Sequence, residues 1–198
     1  MKKIIKYLFF FFLLFDPYTS CENIKFYDTI ILQNLQSKGF LGLYILGNTL
    51  YFKEFYKINP NCKWRLQKTE YLNNQDNYIP NQYFEIGLMN LAPRISYLDP
   101  KYLFMNKFNK LALAKESKIN KNPWSFEIIV KYNSIDPYLF VSDGDLVKIK
   151  CGHKELALSS ETPTLLDEQF SNKIKNIESN RLWIIHKDSG QFDHQYWE

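Results

Sequence analysis

Beyond residue 21 the apolar residues come in short runs, each bounded by Gly, Pro, Asn, Asp or Ser. Runs of this length at roughly 8–12-residue spacing predict the strands of an all-β fold. Thr29–Gln33, Phe40–Tyr44, Thr49–Phe52 and Lys63–Gln67 form a first group. Gly47-Asn48 lies between the second and third of these, a strong signal for a two-residue hairpin turn. Tyr83–Leu88, Arg94–Leu98, Lys110–Ala114 and Trp124–Val130 form a second group. Leu146–Lys150 follows an Asp143-Gly144 turn, then come Glu155–Leu158, a weaker segment near Thr164–Phe170, and Arg181–His186.

The groups repeat. Trp64, Trp124 and Trp183 stand 60 and 59 residues apart, each in a closing strand. Leu41, Leu98 and Leu156 are predicted to hold equivalent places, 57 and 58 apart. Strands this short cannot bury a face alone, so the three groups must share one core. Three four-stranded units closing on one another predict a β-trefoil. Its repeats span about 28–68, 82–131 and 143–187 of a single domain at 22–198. A β-sandwich is the rival. The polar inserts at 70–81, 133–141 and 171–180 read as surface loops. The aromatic C-terminus, Gln191–Trp197, either packs back as a strand or projects as an adhesive tail.

The leader has a different pattern. Lys2, Lys3 and Lys6 precede an unbroken apolar run, Tyr7–Phe15, which Asp16-Pro17 ends. Thr19-Ser20-Cys21 then supplies small residues at a cleavage position. This is the pattern of a signal peptide at 1–21. The run falls well short of the roughly 20 residues that span a bilayer. The predicted localisation is therefore secreted, in the secretory pathway or outside the cell. Lipidation of Cys21 is a minor alternative.

Composition narrows the function. With 45% hydrophobic and 23% charged residues the chain can pack a core. Removing residues 1–21 leaves 22 basic and 20 acidic residues, a net of +2. Only Arg65, Arg94 and Arg181 are arginines, and the lysines are dispersed. Nucleic-acid binding is thus not predicted. No nucleophile elbow, phosphate loop or dinucleotide fingerprint occurs, and His153, His186 and His194 lack ligand spacing. The chain is read as a non-enzyme without metal or cofactor. In an oxidising compartment Cys62 and Cys151 can form one disulfide; the alternative is two separate buried thiols.

Two resemblances arise from the repeats. Gln36-Ser37-Lys38-Gly39-Phe40-Leu41-Gly42 with Trp64 resembles a subdomain of ricin-B-type lectins. Gly144-Asp145-Leu146-Val147-Lys148-Ile149, Leu156-Ala157-Leu158-Ser159-Ser160 and Asn180-Arg181-Leu182-Trp183-Ile184 resemble a MIR unit of the kind found in ER mannosyltransferases and secreted chaperone-associated proteins. The lectin likeness implies a sugar site in the second unit, with Asp99 as the second-strand carboxylate, Phe108 as the stacking ring and Asn122 as the amide before Trp124. Units one and three carry Leu43 and Leu158 near the carboxylate register and are read as unable to hold sugar. The first expectation is a secreted, non-enzymatic binder of a glycan or glycoprotein, including cell-surface or coat components. The alternatives are a MIR-like protein-interaction module of the secretory pathway, and a structural or adhesive coat protein without a sugar site.

Overall fold

The structure is a computed structural model of the 198-residue chain. It describes residues 22–46, 49–69, 85–93, 102–108, 110–115, 117, 123–132, 140–157 and 179–189; for 45–46 and 49–50 it describes the backbone only. The leader, the run Arg94–Leu98, the segment Thr164–Phe170, most of the three polar inserts and the C-terminal Gln191–Trp197 lie outside the described residues.

All described elements are strands and short 3₁₀ turns. The strands are β1 (Thr29–Asn34), β2 (Phe40–Leu46), β3 (Thr49–Phe55), β4 (Lys63–Lys68), β5 (Ile86–Asn90), β6 (Tyr102–Met105), β7 (Leu111–Ala114), β8 (Ser125–Val130), β9 (Leu146–Cys151), β10 (Lys154–Glu155) and β11 (Trp183–Lys187). Every pairing is antiparallel, and all belong to one sheet.

The pairings return on themselves. β1 pairs with β4 (Ile30↔Trp64), and β4 with β5 (Leu66↔Leu88). Ile86 and Trp124 exchange main-chain hydrogen bonds of 2.8 and 2.9 Å, which joins β5 to the start of β8. β8 pairs with β9 (Phe126↔Ile149), β9 with β11 (Val147↔Trp183), and β11 with β1 (Ile185↔Leu32). Six strands thus form a closed ring. A ring leaves no unpaired edge among its members. The remaining strands form the hairpins β2–β3 and β6–β7 and the short turn-back of β10 on β9.

Alternation along the ring strands explains the core. Ile30 and Leu32 on β1, Ile86 and Leu88 on β5, and Val147 and Ile149 on β9 occupy matching positions and are all buried. Trp64, Trp124 and Trp183 are 0% exposed and lie in the same cluster. Each indole N–H donates to a leucine carbonyl on the hairpin side of its own unit. Trp64 reaches Leu41 O at 2.9 Å, Trp124 reaches Leu103 O at 2.8 Å, and Trp183 reaches Leu156 O at 3.0 Å. The expected equivalence of Leu41 and Leu156 holds in this bond. Leu98 is replaced by Leu103, because β6 begins at Tyr102 and carries the carbonyl that faces Trp124.

A second repeated device closes the ring strands at their ends. Asn34 and Asn90 are buried at the ends of β1 and β5. Each accepts, through Oδ1, the N–H two residues ahead: Gln36 at 2.9 Å and Ala92 at 2.9 Å. Each donates, through Nδ2, to the carbonyl three residues before a core tryptophan: Asn180 O and Asn61 O, both at 3.0 Å. Cys151 stands at this register on β9. Replacing Asn34 or Asn90 by Ala is expected to cost about 1–3 kcal/mol, the price of orphaning buried main-chain groups. Urea unfolding of the two variants checks this.

Of the two alternatives for the cysteines, the structure has separate buried thiols. Neither Cys62 nor Cys151 is in a disulfide bond, and both are buried. Cys62 ends the 3₁₀ turn before β4, and Cys151 ends β9. Strands β11 and β1 lie between β9 and β4 in the sheet. Three strand spacings of about 4.8 Å each exceed the roughly 4.4–6.8 Å between Cα atoms that a disulfide bridges. Burial raises the Cys62 thiol to about 11 and also raises that of Cys151, so both stay protonated near neutrality.

Candidate binding surface

Of the three residues expected to hold sugar, Asp99 and Asn122 lie outside the described residues. Phe108 is 70% exposed, in the turn between β6 and β7. Asn106 holds that turn by accepting the N–H groups of Phe108 (2.9 Å) and Lys110 (3.1 Å) through Oδ1. Lys107 Nζ sits 5.0 Å from the ring centre. In the register set by the indole bonds, however, the residue after the second-strand leucine is Phe104, which is not a carboxylate.

Asp145 of the Gly-Asp pair is fully buried and structural. It accepts from Ser142 N at 2.8 Å, Tyr132 N at 3.1 Å and Lys131 Nζ at 2.9 Å. Lys131 Nζ also donates to Ser142 Oγ at 2.7 Å and to Phe140 O. Ser142 Oγ donates in turn to Asn23 Oδ1 at 2.8 Å. The pair therefore braces the start of β9 against the end of β8 and the first residues of the domain. Gly144 has φ +82°, and a Cβ there would meet the Tyr132 ring at 3.0 Å. Glycine is needed on both counts.

The surface with the strongest binding character is the β2–β3 hairpin. It is the longest hairpin described, paired without a break from Phe40↔Phe55 to Leu46↔Thr49. The last pairing leaves room for two residues, as the Gly-Asn signal predicted. Alternation splits it into two faces. Leu41, Leu43 and Phe52 turn to the core. Glu54, on that same face, accepts from Ser37 Oγ. Tyr44 and Tyr51 are opposite one another on the outer face, 39% and 48% exposed. Lys53 Nζ lies 5.3 Å from the Tyr44 ring centre and 5.8 Å from that of Phe55. A Cβ on Gly42 would meet the Phe55 ring at 2.8 Å, so glycine there lets Phe55 lie across β2. Two tyrosines, a phenylalanine and an ammonium group between rings form one ledge. The two-residue turn places residue 44 opposite 51, so this pairing was readable in the sequence.

A charged patch lies where the chain's first described residues meet β11. Lys187 Nζ pairs with Asp28 at 3.2 Å and with Glu22, and Lys63 pairs with Asp188 at 3.0 Å. His186 Nε2 is 3.1 Å from Gln33 Oε1, and its Nδ1 is 3.9 Å from Asp143. Burial holds the imidazole below its usual range, and Asp143 only partly opposes this. A histidine depressed in the fold binds a proton more readily when unfolded. Its contribution to stability is complete above the unfolded value, about 6.5, and is lost as pH falls below it. Stability is thus expected to drop between pH 7 and pH 5, and less so in His186→Gln, as thermal unfolding at each pH would show. Among the described residues no three His, Cys, Asp or Glu side chains group as metal ligands, and no helix is long and apolar enough to cross a membrane.

No family model matches the sequence, and no curated protein sequence matches it. Solved structures do. The fold is similar to that of the SDF2-like protein from Arabidopsis thaliana, with TM-score 0.57 and 10% identity over 83% of this chain and 94% of that one. A Caenorhabditis elegans protein with unknown function gives 0.58 and 11% identity, over 85% and 98% of the two chains. The S. cerevisiae protein O-mannosyltransferase Pmt1-Pmt2 complex bound to the sugar donor gives 0.56 and 12%, over 84% of this chain and 25% of that one. At these identities the likeness is one of fold: an all-β, antiparallel architecture shared with proteins of which one is an SDF2-like protein and another a mannosyltransferase.

Proposed function

We propose that this chain is a MIR-like β-trefoil module of the secretory pathway that binds proteins or glycoproteins without turning them over. The observation that carries the reading is the structural likeness to an SDF2-like protein and to part of a protein O-mannosyltransferase. It coincides with the MIR-like order of residues in the third unit. The closed ring of six strands and the three equivalent Trp–Leu bonds support the trefoil. These neighbours favour the interaction module over the lectin as the first reading. Residues 1–21 act as the signal peptide that delivers the module.

The experiment uses the full chain expressed in a secreting host. Cross-linking capture of secretory glycoproteins and a glycan array are run on the wild type and on Tyr44→Ala/Tyr51→Ala. Capture that the double variant loses, with a blank array, is the expected result. Array hits that depend on Phe108 or Asp99 would restore the lectin. If the wild type captures nothing, the module reading fails. N-terminal sequencing of the secreted product should begin near Cys21 or Glu22; an intact Met1 on a cytoplasmic product would sink the export reading.

A further inference from the structure

The interaction-module reading leaves open what the β2–β3 ledge receives. Resting on that reading, we propose that the outer edge of β3 takes up an extended acidic peptide as an added strand.

Three observations carry this. First, among the described residues β3 pairs with β2 alone, over the seven residues Thr49–Phe55. In an antiparallel ribbon, alternate residues of an outer strand aim their N–H and C=O groups away from the partner. Such an edge is a template for another chain. Second, Tyr51, Lys53 and Phe55 alternate along β3 on its outer face, which gives an incoming strand side-chain contacts at every second position. Third, no carboxylate meets Lys53 among the described residues. Lys63, Lys131, Lys148, Lys150 and Lys187 each meet a carboxylate. Lys53 meets only aromatic rings among the described residues.

The same face argues against sugar as the occupant. Sugar hydroxyls call for carboxylate or amide side chains, and Phe40, Gly42, Tyr44, Tyr51, Lys53 and Phe55 offer neither. Glu54, the carboxylate within β3 itself, is turned to the other face and held by Ser37. What the ledge offers is main-chain pairing, flat apolar rings and one cation. An extended peptide with an acidic residue opposite Lys53 and apolar residues two positions to either side fits all three.

The test titrates the full chain with a blocked peptide, Thr-Val-Thr-Glu-Thr-Val-Thr, following backbone amide shifts and fluorescence anisotropy. Amide shifts centred on Phe52 and Glu54, whose N–H groups face away from β2 in this register, are expected. N-methylating alternate amides of the peptide should abolish binding in one of the two phases. Lys53→Glu should weaken the peptide by roughly three- to tenfold, the scale of an exposed charge pair removed and made repulsive. It should also strengthen the same peptide with Lys in place of Glu. Lys53 is on the surface, so the variant keeps its fold, which unfolding curves confirm. Binding indifferent to N-methylation and to charge overturns the proposal. So do shifts on another surface, or no peptide binding while a hyaluronan tetrasaccharide shifts Tyr44 and Tyr51. A glycoprotein capture lost in Tyr44→Ala/Tyr51→Ala but retained in Lys53→Glu overturns the edge assignment and leaves the module reading standing.

Discussion

Trp64→Ala, Trp124→Ala and Trp183→Ala are each expected to lower the unfolding free energy by about 3–5 kcal/mol, the range for truncating a large buried aromatic. All three side chains are fully buried in one cluster, so each truncation leaves a cavity that the surrounding side chains close only in part. Each also anchors a hairpin to the ring through its indole N–H. Trp→Phe keeps most of the volume and removes the donor. The cost then falls to about 1–3 kcal/mol, the penalty of an unpaired buried carbonyl at Leu41, Leu103 or Leu156. Equivalent geometry predicts similar losses at the three sites. Denaturant unfolding of the six variants measures them. A single tryptophan whose loss leaves stability untouched would break the equivalence on which the threefold reading rests.

Asp145→Ala is expected to destabilise by about 3–5 kcal/mol, as when one partner of a buried ion pair is removed. Asp145 is fully buried and Lys131 nearly so. The substitution strands the Lys131 ammonium together with the N–H groups of Ser142 and Tyr132. Lys131→Met should cost less on its own, because Asp145 keeps two main-chain donors. The double variant Asp145→Ala/Lys131→Met should recover part of the loss, since no uncompensated charge then remains. A double-mutant cycle by thermal unfolding checks the coupling. Strict additivity would mean that the two groups do not act as a pair.

Much of the architecture was legible because strands obey local rules. Period-two alternation placed ten of the strands, with boundaries that shifted at their ends, as at Lys63–Lys68 and Trp183–Lys187. The Gly-Asn pair announced the β2–β3 turn, and the tryptophan spacing announced three units. In the middle unit the strand described before β7 is Tyr102–Met105, and the expected run Arg94–Leu98 lies outside the described residues. Both that run and Tyr102–Met105 have strand-like patterns, and alternation alone does not say which one meets Trp124.

The binding surface was only half legible. Tyr44 and Tyr51 follow from the turn register, yet their exposure depends on which hairpin face the core claims. Asp145 stood out only as the second residue of the MIR-like Gly-Asp run, and the fold buried it against Lys131, fourteen positions away in the chain. Cys62 and Cys151 invited a bridge, and the strand order set them apart.

By itself the sequence determined most of the described strands and the even spacing of the three tryptophans that the core buries. These depend on neighbours a few residues apart or on a repeat that copies them. Only the tertiary structure decided which leucine carbonyl each indole meets, that Asn34 and Asn90 tie successive units together, that the cysteines stay apart, and that among the described residues β3 pairs with β2 alone. Each of those depends on which strands distant in the chain come to pair, and the free energy that selects one partner over another comes from closing the whole ring.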